Sequence, residues 1–344
     1  MEHLGKAAYL VRYGAAETAF EWRNRTVGSP ESGEIKIAVQ AFGLNFADVL
    51  ARNGLYREAP PLPAVLGYDI VGRVIETGAG VDPNWIGKRV VALTRFGGYA
   101  THVCTPLVGV AEVPEEMPEH AACALGAQYA TALYASNYLQ QVRAGENVLI
   151  HAAAGGVGTA LVQLLKNKQC NLFATAGSDE KVNALKAEGI KAFNYNTEDY
   201  EKEIATLLGK DKLDVSFNSI AGSTFKKDMR LLGANGRLVL YGFAERSGKS
   251  GGIFATLSLL WKMGFLLPIM LLAKSKSILG VNMLKIADQK PHIIKTCLEE
   301  LVELWKDGKI RPIDGGSYNQ EDLAKAHAAL EYRKSTGKII VTIR

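Results

Sequence analysis

The chain has 344 residues, 48% of them hydrophobic and 22% charged, which fits a folded protein of about two domains and excludes a disordered one. The formal charge is +5, from 40 basic against 35 acidic residues, with no basic run carrying interleaved aromatics, so nucleic-acid binding is not expected. The four cysteines, Cys104, Cys123, Cys170 and Cys297, form no Cys-x-x-Cys pair, which argues against a structural zinc site or a disulfide framework and suggests a reducing compartment.

The first stretch, MEHLGKAAYLVRYG, carries charges early and lacks a long apolar core, so it does not read as a signal peptide and a cytoplasmic location is expected. Residues 1–124 read as a β-rich domain. EIKIAVQAFGL (34–44) alternates apolar and polar residues like a half-buried strand, and IVGRVIETG (70–78) and KRVVAL (88–93) are short β-branched runs set off by turn residues. The texture changes near residue 125. Strand-like NVLI (147–150), NLFATAG (171–177), LDVSFNSI (213–220), GRLVLYG (236–242) and SILGVNM (277–283) alternate with helical text such as GTALVQLLKNK and EKVNALKAEG. That alternation predicts an α/β fold with a doubly wound parallel sheet over 125–283. Residues 284–344 hold the helix KPHIIKTCLEELVELWKDG and end on the strand GKIIVTIR, expected to return to the first domain.

The segment HAAAGGVGTA (151–160) joins the first parallel strand to its helix. Ala153 stands at the first position of a G-x-G-x-x-G fingerprint, and Ala154, Gly155, Gly156, Val157 and Gly158 complete it. Gly155 would let the backbone approach a pyrophosphate, Gly158 would let helix and strand pack closely, and the helix N-terminus would face the phosphates. The second strand ends in the small neutral residues 175–177, with Ser178 and Lys181 just beyond and Tyr195 after the third strand. Small groups with a cation suit a 2′-phosphate, which favours NADP(H); Asp179 or Glu180, shifted by two residues, would instead suit the free ribose of NAD. The strand-end positions Asn218 and Ser219, Gly242 and Phe243, and Asn282 are further candidate cofactor contacts.

Residues 253–273, IFATLSLLWKMGFLLPIMLLA, have the length of a membrane span. Lys262 near the middle and Pro268 point instead to a helix pair, packed in the core, covering a dimer, or lying on a membrane surface with Lys262, Lys274 and Lys276 at headgroup level.

GLNFADVLARNGLY (43–56), PPLPAVLGYDIVGRVIETGAGV (60–81), GKRV (87–90), the AAGGVG loop and the closing GKIIV together resemble the medium-chain dehydrogenase/reductase superfamily over nearly the whole length. The resemblance is to its zinc-free quinone oxidoreductase branch, and within that most to the vesicle amine transport protein 1 (VAT-1) group. It implies a GroES-like catalytic domain beside the Rossmann domain, a homodimer, and a small apolar or conjugated-carbonyl substrate. The VAT-1 likeness adds a peripheral membrane contact through 253–273. Where zinc-dependent members carry a Cys ligand this chain has Asn45, and where they carry the His of Gly-His-Glu it has Tyr68, so no catalytic zinc is expected. The resemblance makes Asn45 a hydrogen-bond partner of the substrate oxygen or of the nicotinamide ribose, and Tyr56 a donor of a hydrogen bond or proton. It places Gln128 and Thr131 at the domain hinge on the nicotinamide side and makes Lys338 a cofactor contact. The second tyrosine common in quinone reductases is Leu50 here.

Overall fold

The structure, a computed structural model, describes residues 3–244, 261–332 and 335–343. The chain divides into two compact units, one of residues 1–130 with 283–344 and one of residues 131–282.

In the first unit a seven-stranded sheet is organised around the strand Glu34–Gly43. It pairs antiparallel with Asp69–Thr77, with His102–Pro106 and with the closing strand Lys338–Thr342, where Ile340 faces Gly43. A three-stranded sheet formed by His3–Leu10, Phe20–Val27 and Ala64–Val65 completes the β-structure. The two N-terminal strands are not apparent in the sequence, because His3–Leu10 buries Ala7, Ala8 and Leu10 without a β-branched run. Ile35, Ile37, Phe42, Ile70, Val90 and Tyr99 form the core that holds this unit together.

In the second unit six parallel strands take the order third, second, first, fourth, fifth, sixth. They are Asn147–Ile150, Asn171–Ala176, Lys191–Asn194, Leu213–Asn218, Leu232–Leu240 and Lys276–Gly280. The first and fourth strands are neighbours, so the strand order reverses between them, at the crevice where such sheets bind nucleotides. Short apolar runs form these strands because both faces of a parallel sheet are covered; Leu149, Phe173, Phe217 and Leu238 are fully buried. The fifth strand starts at Leu232, four residues before the expected Gly236. Asn235, at φ +61°, bends the chain so that Leu232 pairs with Leu213 ahead of a register shift.

Of the apolar segment 253–273, residues 253–260 lie outside the described residues. From 261 onward the expectation of a core helix fails. A helix spans Pro268–Lys274 with Pro268 in its first turn, and Trp261 and Phe265 are 81% and 94% exposed. Among the described residues no helix is long and apolar enough to cross a membrane.

Candidate functional site

The expected dinucleotide loop lies between the first strand and the helix Gly156–Asn167. Gly155 is the helix N-cap, with an extended backbone and no side chain to accept from the first helical N–H groups. The bend is tight: Ala152 has φ +51°, and its carbonyl accepts from Gly155 N–H at 2.8 Å. A methyl group at Gly158 would lie 2.3 Å from Ala152 O and 2.6 Å from Ala153 Cα, so only glycine lets the helix seat there. Gly156 and Val157 open the same helix, and Ala154 is buried beneath the bend. A helix N-terminus whose cap residue offers no side-chain acceptor fits a dinucleotide pyrophosphate.

Beneath the loop is a polar hub that sequence reasoning did not find. Asp228, fully buried, accepts from His151 Nε2 at 3.0 Å, Ser216 Oγ at 2.8 Å, Asn218 Nδ2 at 2.6 Å and Tyr200 Oη at 3.2 Å. His151 Nδ1 lies 3.1 Å from Thr175 Oγ1. The hub ties together the ends of the first, second and fourth strands. Its members span residues 151 to 228, and no local spacing signals their convergence. His151, the first residue of the segment joining the first strand to its helix, is a member of the hub.

At the tip of the second strand the structure brings Ser178 and Tyr195 together around Gly177. Ser178 caps the helix Asp179–Ala187, accepting from Lys181 N–H at 3.4 Å, so both residues belong to one turn. A methyl group at Gly177 would meet the Tyr195 hydroxyl at 2.4 Å, which places that ring against the glycine. The Asp179 carboxylate accepts from Asn194 Nδ2 at 2.7 Å, which commits it to the third strand.

Two expected cofactor contacts are engaged by groups of the protein itself. Asn218 is fully buried. Its Nδ2 donates to Asp228 and to Thr224 Oγ1, and its Oδ1 accepts from Ile220 and Ala221 N–H, so its side chain shapes the turn. Lys338 is fully buried in the first unit and turned to Asp69 and Asn45. Ser219 and Gly242 pack closely, since a methyl group at Gly242 would lie 2.7 Å from Ser219 O, and Phe243 and Asn282 are exposed. Gln128 is buried in a π-helical segment, Leu125–Tyr129, and Thr131 lies in the following helix, Ala130–Leu133; such wide turns recur at functional positions.

In the first unit Asn45 is the N-cap of the helix Phe46–Arg52, and its backbone N–H donates to Asp48 Oδ2 at 2.8 Å. Asn45 Nδ2 donates to Asp69 Oδ2 at 2.6 Å, and Asn45 Oδ1 accepts from Lys338 Nζ at 3.1 Å. Lys338 also forms an ion pair with Asp69 in which both side chains are fully buried. Burial pushes the Asp48 carboxyl up to about 7, against the lowering effect of the Asn45 backbone N–H. Burial also raises the phenols of Tyr56, Tyr68 and Tyr99, so all three stay protonated at neutral pH. Tyr68 Oη makes no hydrogen bond of normal length among the described residues, yet it lies near enough to Tyr56 for each phenol to perturb the other. The Tyr68 ring packs 5.0 Å from Phe96, which holds a strained φ of +65°.

These residues do not fit a catalytic zinc. An amide and a phenol stand in for thiolate and imidazole, and the Lys338 ammonium already neutralises the neighbouring carboxylate. Among the described residues no group of three or more His, Cys, Asp or Glu side chains could hold a metal ion.

A Rossmann unit with a glycine bend, in a chain whose other unit is β-rich and carries the helix capped by Asn45, is the architecture of the medium-chain, nucleotide-dependent oxidoreductases. Residues 156–302 match the zinc-binding dehydrogenase family, and residues 31–115 match the alcohol dehydrogenase GroES-like domain. The chain is 33% identical over 316 residues to the human synaptic vesicle membrane protein VAT-1 homolog, covering 91% of this chain and 80% of that protein. Its fold is similar to that of Escherichia coli quinone oxidoreductase complexed with NADPH (TM-score 0.85, 25% identity, 98% of this chain and 100% of that one). It is equally similar to CurK enoyl reductase (TM-score 0.85, 27% identity, 99% of each chain). The chain belongs to the medium-chain dehydrogenase/reductase superfamily.

Proposed function

We propose that the protein is an NADPH-dependent reductase of quinones or α,β-unsaturated carbonyl compounds that needs no catalytic metal. The observation that carries this reading is the buried Lys338–Asp69 pair beneath Asn45, where zinc-dependent relatives keep metal ligands. Without a Lewis acid, a simple ketone is poorly polarised, whereas a conjugated acceptor spreads incoming charge onto its own oxygen and needs only hydrogen-bond donors there. Bound NADPH would supply the hydride for the conjugated carbon of the substrate. Asn45 and Tyr56 are the donors for the substrate oxygen, and burial keeps Tyr56 protonated and able to give a proton. Ser178, Lys181 and Tyr195 favour the 2′-phosphate, and Asp179, held by Asn194, is not offered to a free ribose. Support also comes from the NADPH named with the Escherichia coli relative and the enoyl reduction named for CurK. The test is NADPH and NADH oxidation with a panel of quinones and enones. Turnover with NADPH is expected, and silence across the panel would overturn the reading. The sixth strand, Lys276–Gly280, is one of the two edge strands of the parallel sheet among the described residues and offers the seam for a homodimer.

A second reading concerns location. Trp261, Phe265, Leu267, Ile269 and Leu272 are exposed large apolar side chains within twelve residues, in a segment that also carries Lys262 and Lys274. Apolar residues interleaved with lysines suit the interface of an anionic bilayer. Co-sedimentation with phosphatidylserine vesicles that survives Trp261→Ser/Phe265→Ser unchanged would remove this reading.

A further inference from the structure

We infer that Lys338 and Asp69 are positioning residues that fix the Asn45 amide in one orientation, so that Asn45 meets the substrate oxygen as a hydrogen-bond donor. The inference rests on the reductase reading above and adds what holds its donor in place. An asparagine amide is ambiguous because its two ends are alike in shape, but here the partners settle it. An ammonium can only donate and a carboxylate can only accept. Lys338 Nζ therefore fixes the Oδ1 end at 3.1 Å, and Asp69 Oδ2 fixes the Nδ2 end at 2.6 Å. A flipped amide would set donor against donor and acceptor against acceptor inside a buried site, at a cost of two unsatisfied groups.

One Nδ2 proton is spent on Asp69, and the other is the one donor that Asn45 has left. Its backbone N–H is already taken by Asp48 Oδ2, which pins the residue at the helix N-cap. Lys338 and Asp69 are wholly shielded from solvent, whereas Asn45 is only partly so; the pair acts through Asn45. Two glycines make room for it. A methyl group at Gly43 would lie 2.2 Å from Lys338 Cε, and one at Gly126 would lie 2.4 Å from Asp69 Oδ1. The charges also cancel, so the carboxylate beneath Asn45 does not repel an oxygen that gains negative charge.

The test is the double variant Lys338→Gln/Asp69→Asn, which keeps volume and hydrogen-bonding capacity but removes the fixed polarity. Four quantities are read for it: melting temperature, NADPH affinity by fluorescence, kcat with an enone, and the Asn45 side-chain 15N–1H signals, assigned with Asn45→Ser. The expected result is a folded protein with NADPH affinity within about twofold, kcat lower by tenfold or more, and loss of the exchange-protected Asn45 amide proton. If this variant does not fold, Lys338→Met/Asp69→Leu replaces the pair by apolar groups and is read in the same way. Unchanged amide signals would overturn the inference, as would a tenfold loss of NADPH affinity with kcat intact, which would make Lys338 a cofactor contact. If the wild type reduces no acceptor, the reductase reading fails alone, and the amide signals still decide whether the pair positions Asn45.

Discussion

Gly158→Ala tests the dinucleotide bend most directly. The added methyl group would sit 2.3 Å from Ala152 O, 2.6 Å from Ala153 Cα and 2.8 Å from Ala153 C. All three atoms are backbone, so no side chain can swing aside, and either the helix Gly156–Asn167 or the bend must move. Forcing one extra carbon into a packed site costs roughly 1–3 kcal/mol. Melting should fall by about 2–4 °C for each kcal/mol in a unit of this size. The proposed function assigns the phosphates to the helix start and the bend, so NADPH affinity should fall by tenfold or more. Gly155→Ala is the matched control, since its methyl group meets only Ala152 O, at 3.2 Å, and should cost less stability. Fluorescence titration of NADPH alongside thermal unfolding separates the two effects. Unchanged affinity in a Gly158→Ala protein of reduced melting temperature would refute the assignment of this bend to the pyrophosphate.

Asp48 should make stability pH-dependent. Its carboxyl is raised from 3.8 to about 7, so the folded state binds the extra proton between those values and stability falls as pH rises through that window, levelling above about 7. Asp48→Asn should therefore melt higher than the wild type at pH 8 and show little advantage at pH 4, as thermal scans across pH will show. Asp228→Ala strands four buried donors and should cost roughly 3 kcal/mol or more in denaturant unfolding, with Asp228→Asn costing less. Lys181→Ala should weaken NADPH binding by about tenfold, near 1.4 kcal/mol, while changing NADH binding by less than about twofold; equal losses for both would argue against a 2′-phosphate contact. Tyr56→Phe should lower kcat with enones by about 100-fold while leaving NADPH affinity intact, as steady-state kinetics and titration will show.

The parallel sheet was legible because its signals are local. NVLI and NLFATAG are short apolar runs that only a sheet covered on both faces can use, and the glycines between strand and helix mark a backbone bend wherever they occur. Ser178 and Tyr195 follow the second and third strands, and the structure brings both to Gly177. Position fails for side chains whose partners lie far along the chain. Asn218 is at the strand end where a cofactor contact is expected, yet four internal hydrogen bonds consume it. Nothing in LDVSFNSI indicates that His151 and Asp228 converge there.

Lys338 shows why this division is physical. Lys338, expected from the resemblance as a cofactor contact, carries no local sign of burial, because an unpaired ammonium does not survive it. It becomes tolerable only when the closing strand pairs with Glu34–Gly43 and brings the ammonium to Asp69, 269 residues away in sequence. The same pairing gives Asn45 its orientation, so the local motif GLNFAD supplies the amide but not the direction of its donor. That direction depends on two glycines, Gly43 and Gly126, whose missing side chains are occupied by Lys338 and Asp69. Gly126→Ala should therefore disturb Asn45 without touching it. The methyl group would press on Asp69 Oδ1, which can yield only by shifting its other oxygen against Lys338 and Asn45. A Gly126→Ala protein that keeps its fold and its Asn45 amide signals would show that the carboxylate has more freedom than its full burial implies.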